Sequence, residues 1–245
     1  MKSFGDEGMS QIKHGADIEA LVNRQMRLWE TMARSAQEPA EATTVPSKKF
    51  GPYVTISRFV GTGGDEIAKR VADKLGWQVF DREIVEYISS QSKARESIVS
   101  LFDEKVQNEL HTWVENLFTW SAMDNEHYLR RLSQVIYAIA RHGNAVIVGR
   151  GANFIVPAHY GLRVRIVAPE PWRVEYLQKH QGLSEAEARE KIKTQDEMQR
   201  EFIKKQFHQN VEECTNYDIV LNAGVLGLEH CADIITENVK YLTSK

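Results

Sequence analysis

The residues of this 245-residue chain best suited to chemistry are three glycines and a scatter of arginines. Gly61, Gly63 and Gly64 come directly after Val54–Ser57, a short run with strand character. Ile67, Ala68, Val71, Ala72 and Leu75 then recur at helical spacing, with Gly76 as the stop. A strand, a glycine turn and a helix in that order aim backbone N–H groups and a positive helix end at an anion, and glycines let it approach closely. The turn Gly61-Thr62-Gly63-Gly64-Asp65-Glu66 suits phosphate. Arg58 lies inside the turn region, and Asp81-Arg82 and Gly149-Arg150-Gly151 follow two further apolar runs. In an open parallel sheet that edge is where ligands bind. Arg189, Lys193, Asp196 and Arg200 are spaced 4, 3 and 4 apart, which lines them along one helix face. Such a row could close over phosphates, with Asp196 orienting an arginine. Phosphoryl transfer asks for clamps of this kind, because its catalysis is mostly positioning and neutralisation of spread negative charge.

Two named phosphate motifs fall short here. The pattern GxxxxGK[ST] needs a lysine after Gly63, and Gly64, Asp65 and Glu66 stand in its last positions. The dinucleotide pattern GxGxxG ends on Glu66 instead of a glycine. Asp81, about twenty residues on, keeps a dinucleotide oxidoreductase open as a rival. A tight turn with no ligand stays open too, as does a charged helix face that is only a solvated surface laced by Glu190 and Glu197. The 8 histidines form no HxxH or HExxH pair, so no histidine metal site is expected. No serine or cysteine sits in a GxSxG elbow.

The elements that must position these residues follow from periodicity. Val54–Ser57, Trp77–Phe80, Ala145–Val148, Leu162–Val167 and Tyr217–Asn222 read as strands, alternating with helical stretches. Ser184 and Glu187 form a capping box for a helix running to about Lys205. Short apolar strands alternating with helices predict an α/β fold, a parallel sheet covered on both faces. Between Ser92 and Asn125 the aromatics Phe102, Trp113, Phe118 and Trp120 read as helix packing. From Asp17 to about Ala36, Ile18, Leu21, Val22, Met26, Leu28, Trp29 and Met32 form an amphipathic stripe, followed by a linker over Gln37–Lys49. That stripe either docks on its own domain or packs on a second subunit.

Composition narrows the classes. A formal charge of -3 argues against nucleic acid as a default partner. No apolar run approaches the roughly 20 residues a membrane span needs, and the first residues lack the apolar core of a secretory signal. Cys214 and Cys231 alone make no disulfide framework. A cytoplasmic location is the expectation.

Six separated blocks, ISRFVGTGGDEIAKRVADKLG, FDREIVEYIS, AVIVGRGANFIV, RVRIVAPEPWRVEYL, GLSEAEAREKIKTQDEMQREF and NYDIVLNAG, resemble in order the cytidylate kinase-like family of P-loop proteins. The resemblance implies a three-layer nucleoside-monophosphate-kinase-like fold with a five-stranded parallel sheet over 49–245, a monophosphate-binding insertion near 82–125 and a lid near 180–210. The N-terminal helix and linker, 1–48, lie outside it. By position it makes Gly61, Thr62, Gly63 and Gly64, with Asp65 and Glu66, the phosphate loop. Asp81, Arg82 and Arg150 go to the acceptor monophosphate, and Arg189, Lys193 and Arg200 to a lid closing on the donor triphosphate and the transferred group. Arg58, the cation already in the turn, is the expected catalytic substitute for the loop lysine, as is a lid cation. ATP with Mg²⁺ and a nucleoside monophosphate, CMP or dCMP, are the implied reactants. Cytidylate kinases carry the loop lysine and a GRD triplet; here Gly64 and Gly151 occupy the lysine and aspartate positions. Those departures keep a second reading open, a nucleotide-binding pseudokinase acting in regulation or assembly, and a homodimer through the N-terminal helix is a further expectation.

Overall fold

The computed structural model describes residues 17–27, 29, 31, 50–118, 126–158 and 160–243. They fall into two compact units, one of Met1–Lys48 with Glu83–Ala138 and one of Lys49–Arg82 with Ile139–Lys245.

The second unit holds a five-stranded, all-parallel sheet. Its strands are β1 (Tyr53–Arg58), β2 (Gln78–Phe80), β3 (Ala145–Val148), β4 (Leu162–Val167) and β5 (Ile219–Asn222), in the order β2-β3-β1-β4-β5. Central position explains composition: β3 is buried throughout and reads Ala-Val-Ile-Val, a strand covered on both faces. Register pairs Ile56 with Val148 and with Val164, so β1, the central strand, ends between its two neighbours. All five C-terminal ends share one edge.

Two helices cover one face. α1 (Gly64–Leu75) turns Ile67, Ala68, Val71 and Ala72 inward, and a long C-terminal helix, Leu228–Thr243, turns Cys231, Ala232, Ile235 and Val239 inward. These eight side chains join Val54, Ile56, Val146, Val148, Val164 and Ile166 in one buried cluster. Burying each of the larger side chains, such as Ile67 and Val71, stabilises by about 1.5–3 kcal/mol, which fixes the α1 axis and hence the turn before it. Gly76 ends α1 in the left-handed region, its N–H reaching Ala72 and Asp73 carbonyls.

The helices of the first unit are α2 (Arg82–Ser90, whose first residue belongs to the sheet unit), α3 (Ser92–Ser100), α4 (Glu104–Phe118) and most of α5 (Glu126–His142). Leu110, Val114, Leu129 and Leu132 are buried, and Trp113 tilts against Tyr137 at 6.0 Å. Those facts agree with a packing role for this region's apolar side chains. The side chain of Phe118, and Trp120, lie outside the described residues. Residues 17–27 are helical, and Val22, Met26 and Trp29 are buried within the chain itself. Ile18 and Leu21 are half-buried, so the described part of the stripe is covered in part. Leu28 and Met32 lie outside the described residues.

After β3 come α6 (Ala152–Ile155), then, following β4, α7 (Glu170–Gln181) and α8 (Glu185–Phe207), then α9 (Ala223–Leu226) and α10 (Leu228–Thr243). The expected capping box is present: Ser184 accepts from the Glu187 N–H, and Glu187 accepts from the Ser184 N–H. Strand boundaries differ slightly from expectation. β2 begins at Gln78 and β5 at Ile219, because Trp77 and Tyr217 bond to Ala72 and Cys214 carbonyls rather than to a ladder.

Candidate functional site

The turn between β1 and α1 has the geometry its glycines suggested. Gly61 and Gly63 adopt φ of 75° and 74°, a region that L side chains rarely adopt. Thr62 Oγ1 donates to the Phe59 carbonyl at 2.8 Å and is buried, so this hydroxyl shapes the turn from within. The protein crowds the outside of the loop. A Cβ on Gly63 would lie 2.4 Å from Leu228 Cδ2, and one on Gly61 3.0 Å from the Arg173 carbonyl. The loop is therefore wedged between α1, α7 and α10, with its helix N-terminus facing the C-terminal edge of the sheet.

Arg58 ends β1 and lies across the loop. Its Nε and Nη2 both donate to Asp65 Oδ1, at 2.9 and 2.8 Å. Its stem fills the space beside Gly64, where an added Cβ would lie 2.7 Å from both Cβ and Cγ of Arg58. Its Nη1 reaches the next strand, 3.0 Å from where a Cβ on Gly149 would be. One arginine thus accounts for two glycines.

At the end of β3 the backbone takes three left-handed residues in a row: Gly149, Arg150 and Gly151, with φ of 77°, 53° and 67°. For Arg150 that conformation costs about 1–2 kcal/mol. Strain of this kind gathers where a side chain must be aimed. The Arg150 guanidinium lies over the Phe202 ring at 5.6 Å. Its pKa is pushed down to about 10, first by burial and then by the positive charges of Arg82 and Arg58. Arg150 thus lies within electrostatic reach of two other arginines at this end of the sheet, a setting that favours an anion.

The remaining expected residues separate. Asp81 is half-buried and Arg82 exposed, at the end of β2. Glu66 pairs with Arg70 at 2.5 Å, which holds its carboxyl below the usual range. Arg200 lies 4.9 Å over the Phe59 ring, beside the loop, and pairs with Glu212 at 3.2 Å. Arg189 is engaged by Glu170 and Glu185, at 2.6 and 2.9 Å, and Lys193 is exposed. Asp196 does orient an arginine, but the arginine is Arg173 of α7 and not one from its own helix. Arg173 and Arg165 escape a reading of the sequence. Arg165 is 3% exposed, donates to Ser57 Oγ at 2.7 Å and stacks 4.1 Å over Phe59. For Asp196 a signal exists: it falls in register with Ala188 and Ile192, four residues apart on the buried stripe of α8.

A glycine turn after the central strand of a parallel β2-β3-β1-β4-β5 sheet, with arginines at the same edge, defines an α/β protein with a nucleoside-monophosphate-kinase-like fold. A profile of the cytidylate kinase-like family matches residues 53–224, and the chain belongs to that family. It is similar to the cytidylate kinase of Ignicoccus hospitalis, 25% identical over 182 residues that cover 74% of this chain and 95% of the relative. It is also similar to the cytidylate kinase of Pyrococcus horikoshii, 23% identical over 189 residues, 77% and 88% of the two chains. The crystal structure of an uncharacterized protein from Eubacterium ventriosum shares the fold, with a TM-score of 0.62 at 19% identity over 79% of this chain and 98% of that one. Among the described residues no helix is long and apolar enough to cross a membrane.

Proposed function

We propose that this chain transfers the γ-phosphoryl group of ATP to a nucleoside monophosphate, CMP or dCMP. The observation that carries this is Arg58 lying against the Gly61–Gly64 turn while reaching the end of β3, where three left-handed residues set Arg150. The turn's N–H groups hold the donor phosphates, and Arg82 and Arg150 hold the acceptor phosphate. Arg58 serves the transferred group, exchanging its exposed partner Asp65 for phosphate oxygens. Arg200 reaches the loop from α8, and Arg189 and Lys193 join only if that helix moves toward the donor.

In the transfer, an oxygen of the acceptor phosphate bonds to the γ-phosphorus as the bond to the β–γ bridging oxygen breaks. ADP and a nucleoside diphosphate leave. The acceptor oxygen is already anionic, so no general base is required. Mg²⁺ would neutralise charge on the phosphates and is held in such sites largely by phosphate oxygens and water. Among the described residues no group of three His, Cys, Asp or Glu is arranged to hold an ion. The carboxylates nearest the loop, Asp65 and Glu66, are engaged by Arg58 and Arg70. The part left to this chain is to hold the phosphates whose charge the ion would neutralise.

The second reading, a nucleotide-binding pseudokinase, draws on Gly64 at the lysine position. Removing a charge-assisted contact made in the transition state typically lowers the rate 10²–10³-fold. A coupled assay with ATP, Mg²⁺ and a panel of monophosphates separates the two. Turnover on CMP or dCMP that Arg150→Ala abolishes supports the kinase. ATP binding without turnover on any acceptor supports the pseudokinase.

A further inference from the structure

Arg173 and Asp196 have no part in the transfer described above, yet they are 6% and 4% exposed. They form an ion pair, Arg173 Nη2 to Asp196 Oδ2, at 2.7 Å, from α7 to α8. Each also reaches the backbone of the same residue, Val60. Arg173 Nε donates to the Val60 carbonyl at 2.8 Å, and the Val60 N–H donates to Asp196 Oδ1 at 3.3 Å. Val60 is the residue before Gly61, so both its backbone groups are satisfied by this one pair. On the other side Phe59 is flanked by the guanidinium groups of Arg165, Arg200 and Arg173, at 4.1, 4.9 and 5.5 Å.

We propose that Arg173 and Asp196 are positioning residues that set the shape of the phosphate loop, making α7 and α8 its frame. A loop whose N–H groups must face an anion has no ladder of its own to fix it. Something else must hold its peptides, and a buried carboxylate split between a guanidinium and an N–H does so with defined directions. Buried ion pairs add little net stability over apolar packing, so fixed geometry is the better account of their presence. A bland role, joining α7 to α8, is already filled by Val174, Leu177, Ala188 and Ile192. The catalytic consequence rests on the phosphate-loop reading; the positioning itself does not.

Hydrogen exchange on the full, unliganded chain tests this. In the wild type the Val60 amide, bonded to Asp196 Oδ1, should be protected well beyond an open loop. Exchange there at free-peptide rates overturns the proposal without any variant. Asp196→Asn keeps an acceptor for the Val60 N–H and removes the charge; Arg173→Lys keeps the charge and removes Nε. Both should speed exchange at Val60 by at least roughly tenfold while amides 54–57 of β1 hold their rates. Uniform acceleration across the sheet, or none at the loop, means a structural tie only and overturns it. A second readout is the Michaelis constant for ATP, which should rise more than kcat falls. If the wild type binds no ATP but the loop exchange responds as stated, the kinase reading falls and this one stands.

Discussion

Arg58 occupies the space that a side chain at position 64 would need: a Cβ on Gly64 would lie 2.7 Å from Arg58 Cβ and Cγ. In the GxxxxGK[ST] pattern, position 58 is the first glycine and position 64 the lysine. Here the two residue types have traded ends of the loop, and each explains the other. A cation still stands at the loop, but it enters from the strand and not from the helix.

Restoring the lysine alone should therefore fail. Gly64→Lys drives its Cβ into the Arg58 stem and should destabilise by about 1–3 kcal/mol. Adding Arg58→Gly should recover most of that loss. Denaturant unfolding of the wild type, the single and the double variant measures the coupling. Additive losses would show that the two positions do not compete.

Gly151 follows the same logic at the other departure from the kinase pattern. A Cβ there would lie 2.4 Å from Phe207 Cε2 and 2.8 Å from Phe207 Cζ, at a φ of 67°. Gly151→Asp, which writes the GRD triplet back, should destabilise by about 2–4 kcal/mol through overpacking and a strained φ. Phe207→Ala should relieve the overpacking but not the φ, so the combined variant recovers part of the loss. Thermal unfolding distinguishes partial recovery from none.

Part of the N-terminal stripe is buried in the single chain, with Trp29 4% exposed. Trp29→Ala should cost about 3–5 kcal/mol. The melting temperature of the wild type should not depend on protein concentration on this helix's account. A concentration-dependent melting temperature that Trp29→Ala abolishes would place the stripe at a subunit contact instead.

Acid should loosen the α1–α10 side of the molecule. Glu66 and Glu229 are held below the usual carboxylate range, Glu66 first by its hydrogen bond to Arg70, Glu229 first by Lys74 and then Arg70. A depressed folded-state value means the stabilisation is fully present above pH 4.5 and is lost as pH falls through the folded value. These groups are largely exposed, so salt should weaken the effect. Carboxyl chemical shifts should titrate below 4.5, and midpoints at or above 4.5 would contradict the pairing.

Much of this site could be read before any coordinates. Strand ends are visible as apolar runs, and an arginine just after such a run, as with Arg82 and Arg150, is at the C-terminal edge of the sheet by topology alone. Arg165 was hidden because Leu162-Arg-Val-Arg-Ile-Val167 alternates like a half-solvated strand. Arg163 fits that pattern, paired with Asp218 at 2.7 Å, whereas Arg165 is buried under Phe59, which the loop folds over it. Arg173 was hidden because its partner is 23 residues away and the pairing exists only once α7 packs on α8. Conversely the row Arg189, Lys193 and Arg200 shares one helix face but not an environment. Spacing gives the face, and only packing decides what faces it.

Phosphoryl transfer can be traced directly by incubating the chain with γ-labelled ATP, Mg²⁺ and CMP and following the label. Label should move into CDP, and Arg150→Gln should cut that transfer by about 10²–10³-fold while the fold stays intact. Label that stays in ATP or appears only as inorganic phosphate, in the wild type as in the variant, would contradict a site built by these arginines to pass phosphate between nucleotides.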